Sequence, residues 1–121
     1  MYEVKIDLLV GKILSKIENN GDEMIFHCSD GERYKLYHSQ ECCESVEIED
    51  IIGDLEDLIG LPIIRATEDT SKDNPSGIIK EYQDSFTWTF YNIATVKGHV
   101  TIRWYGDSNG YYSESVDFCK L

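Results

Sequence analysis

Positive charge is what this chain most lacks. No Lys or Arg stands between Lys35 and Arg65, and the 121 residues carry 11 basic against 23 acidic side chains, a formal charge of −12. Affinity for a phosphate backbone comes largely from cations that displace counterions, so direct binding of DNA or RNA is disfavoured. Long uncharged apolar runs are also missing. None approaches the ~20 residues needed to cross a bilayer, and the opening MYEVKIDLLVGK places Glu3 and Asp7 where a signal peptide needs positive charge. The expectation is a soluble, cytoplasmic protein with no membrane contact. Cysteine is sparse as well: Cys28, Cys42, Cys43 and Cys119 lack the density and spacing of a secreted disulfide scaffold and point to a reduced setting. Cys42 and Cys43 are adjacent and face different ways in an extended or helical backbone, so joint chelation is awkward. One buried and one more exposed thiol is expected.

The apolar content is sufficient for a core. Hydrophobic residues make up 41% of the chain and are spread along its length, which argues against disorder, and the length suits one domain over residues 1–121. The first ten residues read as a short helix or ordered arm with Val4, Leu8 and either Ile6 or Leu9 inward. Residues 12–18 (KILSKIE), 23–28 (EMIFHC) and 32–38 (ERYKLYH) read as a three-stranded antiparallel meander, because Asn20-Gly21 and Asp30-Gly31 accept the positive φ of tight hairpin turns. Met24, Phe26 and Cys28 then share a face, as do Tyr34, Leu36 and His38.

Beyond Ser39 the period changes. Ile48, Ile51, Leu55, Leu58 and Ile59 recur at three- and four-residue spacing, which predicts a helix over 49–59 with Asp50, Asp54 and Asp57 on its opposite face, ended by Gly60 and Pro62. Ile63 and Ile64 begin a short strand that dissolves into a loop over 67–77. Residues 85–96 alternate so that Phe86, Trp88, Phe90, Ala94 and Val96 fall on one side. Residues 99–105 follow with Val100, Ile102 and Trp104, and residues 112–118 return with Val116 and Phe118 inward, a second antiparallel meander. The expected class is α+β: a mainly antiparallel sheet in two meanders with one acidic amphipathic helix packed on it.

Four segments bear on chemistry. Gly106-Asp107-Ser108-Asn109-Gly110 has the letters of the G-x-S-x-G nucleophile elbow, but a strand follows it and no histidine comes after it, so a polar loop is the reading and no catalytic residue is assigned. His38, Cys42 and Cys43 are metal-ligand types without the second ligand pair that zinc sites use; whether they bind a metal stays open, and no cofactor is implied. Asp69 to Gly77 lacks the alternating acidic order of a calcium loop. Arg103, Trp104, Tyr105, Asn109, Tyr111 and Tyr112 combine aromatic rings with amide and guanidinium groups beside a glycine-flanked loop, a set suited to a planar ligand or a protein partner, or else to core aromatics with satisfied polar tips.

The segments IRWYGDSNGYYSESVDF (102–118), WTFYNIATVKG (88–98) and YHSQECCESVEIEDIIGDLEDLIGLPI (37–63) resemble a family of small bacteriophage and bacterial proteins without an assigned activity. The likeness covers nearly the whole chain except its first few residues and a loop around 69–82. It implies a phage or prophage accessory protein acting inside a host cell and supplies no catalytic residue. Three functional expectations follow. The first is a non-catalytic binding protein that modulates a host system, plausibly defence, using Glu47, Glu49, Asp50, Asp54, Glu56 and Asp57 against a basic protein surface in the manner of a phosphate row. The second is a nucleotide-sequestering protein in which Tyr105, Asn109, Tyr111 and Tyr112 clamp the base and Arg103 meets a phosphate. The third is a metal-bound structural module at His38 with Cys42 or Cys43. A homo-oligomer is compatible with each.

Overall fold

A computed structural model describes residues 2–80 and 82–121. Two antiparallel sheets organise it. One is five-stranded, in the order β1 (Tyr2–Glu3), β9 (Asp117–Lys120), β4 (Arg33–Tyr37), β3 (Met24–Cys28), β2 (Leu14–Asn19). The other is four-stranded, in the order β5 (Ser45–Ile52), β8 (Gly98–Ser108), β7 (Ser85–Thr95), β6 (Arg65–Ser71). Short 3-10 turns at Ile6–Leu9 and Leu55–Leu58 are the helical elements among the described residues, and none is long and apolar enough to cross a membrane.

The first meander is as expected. Gly21 and Gly31 take φ of +92° and +91° in its two turns, and the pairs Met24↔Leu36 and Phe26↔Tyr34 put buried side chains on one face. The amino-terminal arm is a short strand and a 3-10 turn that bury Ile6 and Leu9 and leave Leu8 exposed.

The helix over 49–59 is absent, which corrects the expected α+β class to an antiparallel β architecture. Its residues are the end of β5, a turn at Gly53 and the 3-10 turn at Leu55–Leu58. The cause of the false period is a β-bulge. Ile48 pairs with Trp104 and Asp50 with the adjacent Arg103, so Glu49 is an extra residue and the inward positions pass from Val46 and Ile48 to Ile51, a step of three. The 3-10 turn repeats that step from Leu55 to Leu58, and together the two devices imitate a helical stripe.

Two further expectations change, over residues 67–71 and in the last strand, and the register also orients β7. Residues 67–71 belong to β6, paired with β7, and are not loop. On β7 the side bearing Phe86, Trp88 and Phe90 faces away from the five-stranded sheet, while Tyr91 and Ile93 enter the shared core with Val100, Ile102 and Trp104 of β8. Trp88 is nonetheless fully buried, because residues 72–80 and 82–83 fold over it: Trp88 Nε1 donates to Asn74 Oδ1 at 3.0 Å, and Gln83 Nε2 donates to the Tyr105 hydroxyl at 2.7 Å. Finally, the last strand does not complete a second meander. Residues 109–116 leave β8 irregularly, and β9 joins β4 and β1 in the other sheet.

The inward placement of the 3-10 turn and the outward placement of the end of β5 are checked by two substitutions. Leu58→Ala empties a fully buried position and is expected to lower unfolding free energy by about 2–5 kcal/mol, whereas Ile52→Ala, on the outer face and half exposed, changes it by less than about 0.5 kcal/mol in urea titrations. Equal losses would contradict these placements.

Candidate functional site

Both connections between the sheets, residues 38–44 and 109–116, run at the same end of the molecule and meet at His38. Its Nδ1 donates to the Ser115 carbonyl at 2.7 Å, and its Nε2 stands 2.8 Å from Glu44 Oε2. Glu44 is almost fully buried, and it also accepts the backbone N–H groups of Glu41 and Cys42, both at 2.9 Å. Burial alone pushes its carboxyl up; the Cys42 N–H, His38 and the Glu41 N–H together outweigh it and hold the group down at about 2. One member of the acidic run is thus an internal fastener. Cys42 and Cys43 are both exposed and joined to each other by a disulfide, in place of one buried and one exposed thiol, while Cys28 and Cys119 are free and buried. His38 is engaged through both ring nitrogens, and among the described residues no group of three or more His, Cys, Asp or Glu is arranged to hold a metal.

The remaining acids line the β5 edge. Among the described residues β5 pairs only with β8, so its other side is an open sheet edge. Glu47 pairs with Tyr105 and Asp50 with Arg103, both on the outer face, and the bulge turns Glu49 toward the same arginine. Arg103 Nε donates to Glu49 Oε2 at 2.5 Å, its Nη2 lies 3.7 Å from Asp50 Oδ2, and its guanidinium stacks 5.5 Å from the Trp88 ring centre. Asp54 and Glu56 extend the exposed row past Gly53, where Asp54 Oδ1 accepts the Glu56 N–H at 3.0 Å and caps the 3-10 turn. Asp57 is different. It is half-buried, packs against Gly98, and its carbonyl accepts the Thr95 hydroxyl.

The six residues proposed for a planar ligand are not brought together. Arg103 and Tyr105 are on the outer face, Trp104 is in the core, and Asn109 and Tyr111 are at an exposed turn in which Asn109 Oδ1 accepts the Tyr111 N–H. Tyr112 lines a polar cleft on the inner side. The G-x-S-x-G letters have a structural explanation. A Cβ on Gly106 would lie 2.8 Å from the Glu114 carbonyl, Ser108 Oγ donates to Glu114 Oε2 at 2.5 Å, and Gly110 takes a φ of +88°. The motif holds Glu114; sequence reasoning missed that residue because its partners are distant or across a turn.

The class this geometry defines is a two-sheet antiparallel β protein with an acidic open edge. Residues 7–118 match the family described as Domain of unknown function (DUF7448), and the chain belongs to that family. No curated protein and no solved structure matches it significantly.

Acid should loosen the fastening at Glu44. A carboxyl held at about 2 in the folded chain against 4.5 otherwise stabilises above pH ~4.5, and that contribution is lost as pH falls toward 2; Glu32, drawn to about 2 by Lys12, Tyr34 and Lys120, acts in the same direction. Glu44→Gln is expected to lower the urea midpoint at neutral pH and to flatten its decline below pH ~4.5. An unchanged pH profile would show that the carboxylate is not fastening the connections.

Proposed function

We propose that this protein is a non-catalytic binding protein whose β5 edge covers a basic surface of another protein. The observation that carries the reading is the bulge at Glu49, which gathers Glu47, Glu49 and Asp50 on one outward face of an open edge strand, with Asp54 and Glu56 following. The backbone that carries these carboxylates is already ordered by β5 pairing and the 3-10 turn, so no backbone entropy is lost when they meet cations, and long-range attraction speeds the encounter. Alternate residues on a strand are roughly 6.6 Å apart, a repeat that suits lysines or arginines arrayed to receive a phosphate row. Arg103 shares the charge of Glu49 and Asp50, so Glu47, Asp54 and Glu56 carry most of the outward field.

The finer reading is that of a phage or prophage factor that modulates a host defence system by occupying a basic nucleic-acid-binding groove. The resemblance of the 37–63 and 102–118 segments to phage proteins supports it, as does the acidity of the chain.

Fluorescence anisotropy with a lysine- and arginine-rich peptide tests the electrostatic core of the proposal. Affinity is expected to fall about tenfold or more between low salt and roughly 0.3 M. The triple variant Glu47→Gln, Asp54→Asn, Glu56→Gln should weaken low-salt binding by a similar factor without a matching loss of melting temperature. Salt-independent affinity, or full binding by the triple variant, would sink it.

A further inference from the structure

Along its length the inner face of the four-stranded sheet changes character. At one end Ile93, Val100 and Ile102 are fully buried against the five-stranded sheet. Toward the other end the same face carries Thr89, Thr87 and Ser85 on β7, with Thr70 paired to Thr89 from β6. Thr87 and Thr89 are 8% and 2% exposed, positions where a sheet built only for stability would carry aliphatic side chains. Instead their hydroxyls border a cleft of about 370 Å³, closed on its far side by residues 110–116.

Glu114 is the anchor of this cleft. It is 8% exposed, accepts the Thr87 hydroxyl at 2.8 Å and the Ser108 hydroxyl at 2.5 Å, and lies 3.7 Å from Lys72 Nζ. Burial pushes its carboxyl up, but the Ser108, Ser85 and Thr87 hydroxyls and Lys72 draw it below the usual carboxylate range, so it is ionised at neutral pH. Gly106 makes room for it, since any Cβ there would strike the Glu114 backbone. Next inward on the same face, Tyr91 is fully buried and its hydroxyl meets the geometry of no hydrogen bond among the described residues, opposite Glu68, which borders the cleft.

We propose that this cleft binds a small neutral polyhydroxylated ligand of the sugar class. Such a ligand presents hydroxyls that both donate and accept, and the walls offer the same reciprocal chemistry through threonine and serine. Glu114 accepts one ligand hydroxyl through its remaining lone pair, Lys72 donates at the mouth, and Tyr112 supplies an aromatic wall for the apolar face of a ring. The volume falls within the range of small-molecule sites. Charge selects against the other classes. Glu68 and Glu114 outnumber Lys72 in a chain of net charge −12, so a phosphate is repelled, while the Glu114 charge is already met by hydroxyls and an ammonium group and needs no further cation. The cleft is on the inner face and the acidic rim on the outer, so this site is independent of the partner surface proposed above.

Two-dimensional ¹⁵N–¹H NMR titration tests it, with glucose, galactose, N-acetylglucosamine and maltose as probes and AMP and free lysine as comparison arms, each to roughly 20 mM so that millimolar Kd values are visible. At least one sugar is expected to give saturable shifts centred on Thr70, Thr87, Thr89 and Glu114. Glu114→Gln should weaken that sugar about tenfold, and Thr70→Val severalfold, with peptide binding at the β5 edge unchanged. Thr70→Val and Tyr112→Ala carry the test if Glu114→Gln does not fold. Saturation by AMP or lysine alone, no saturable shift with any sugar, or sugar binding indifferent to the folded cleft variants would each overturn the proposal.

Discussion

The architecture turns on two chain crossings that must be held side by side. The chain passes from the five-stranded to the four-stranded sheet between β4 and β5 and returns between β8 and β9, at one end of the molecule. His38 ties these passages through Ser115 and Glu44, and Asp117 Oδ2 accepts the Ser39 N–H at 3.0 Å beside them. A buried carboxylate is tolerable only when several donors replace its water, and Glu44 receives them from its own loop as well as from the imidazole. With the crossings joined, one hydrophobic cluster extends through both sheets.

That pinning divides the four-stranded sheet into surfaces of different chemistry. The five-stranded sheet covers the aliphatic half of the inner face, and the return crossing bridges the hydroxyl-bearing half without filling it, which leaves the cleft. On the outer face residues 72–80 and 82–83 supply a second, smaller packing layer over Trp88 and Tyr105, whose ring centres are 4.6 Å apart, and Lys80 Nζ rests 4.5 Å from the Tyr105 ring centre. Arg103 links that layer to the acidic edge, stacking on Trp88 while bonding Glu49. The edge is therefore backed by packed side chains, and its charge discourages unwanted pairing with other strands.

Local chemistry was legible wherever a turn residue and a two-residue period agreed. Asn20-Gly21 and Asp30-Gly31 permitted only tight reversals, and Met24, Phe26 and Cys28 alternated without interruption, so the first meander followed. The same rules misread residues 48–58, because an extra residue in an edge strand and a 3-10 turn both advance the apolar face by three. They put Trp88 on one face with Phe86 and Phe90 but gave no reason for its burial, which depends on Asn74 in a segment without periodic signal. Glu114 was invisible as a site because Thr87, 27 residues earlier, supplies half of its setting.

Taken alone, the order of amino acids determined the strong negative charge, the antiparallel strands of the first half, the β7–β8 hairpin and the absence of a complete nucleophile elbow, since each rests on composition or on neighbours within a few positions. Tertiary structure decided which sheet receives the last strand, which face of β7 enters the core, and which acids remain at the surface while Glu44 and Glu114 turn inward. The physical reason is common to all three. Burial and hydrogen-bond satisfaction depend on residues remote in sequence, and a side chain's role is set by what the fold brings against it.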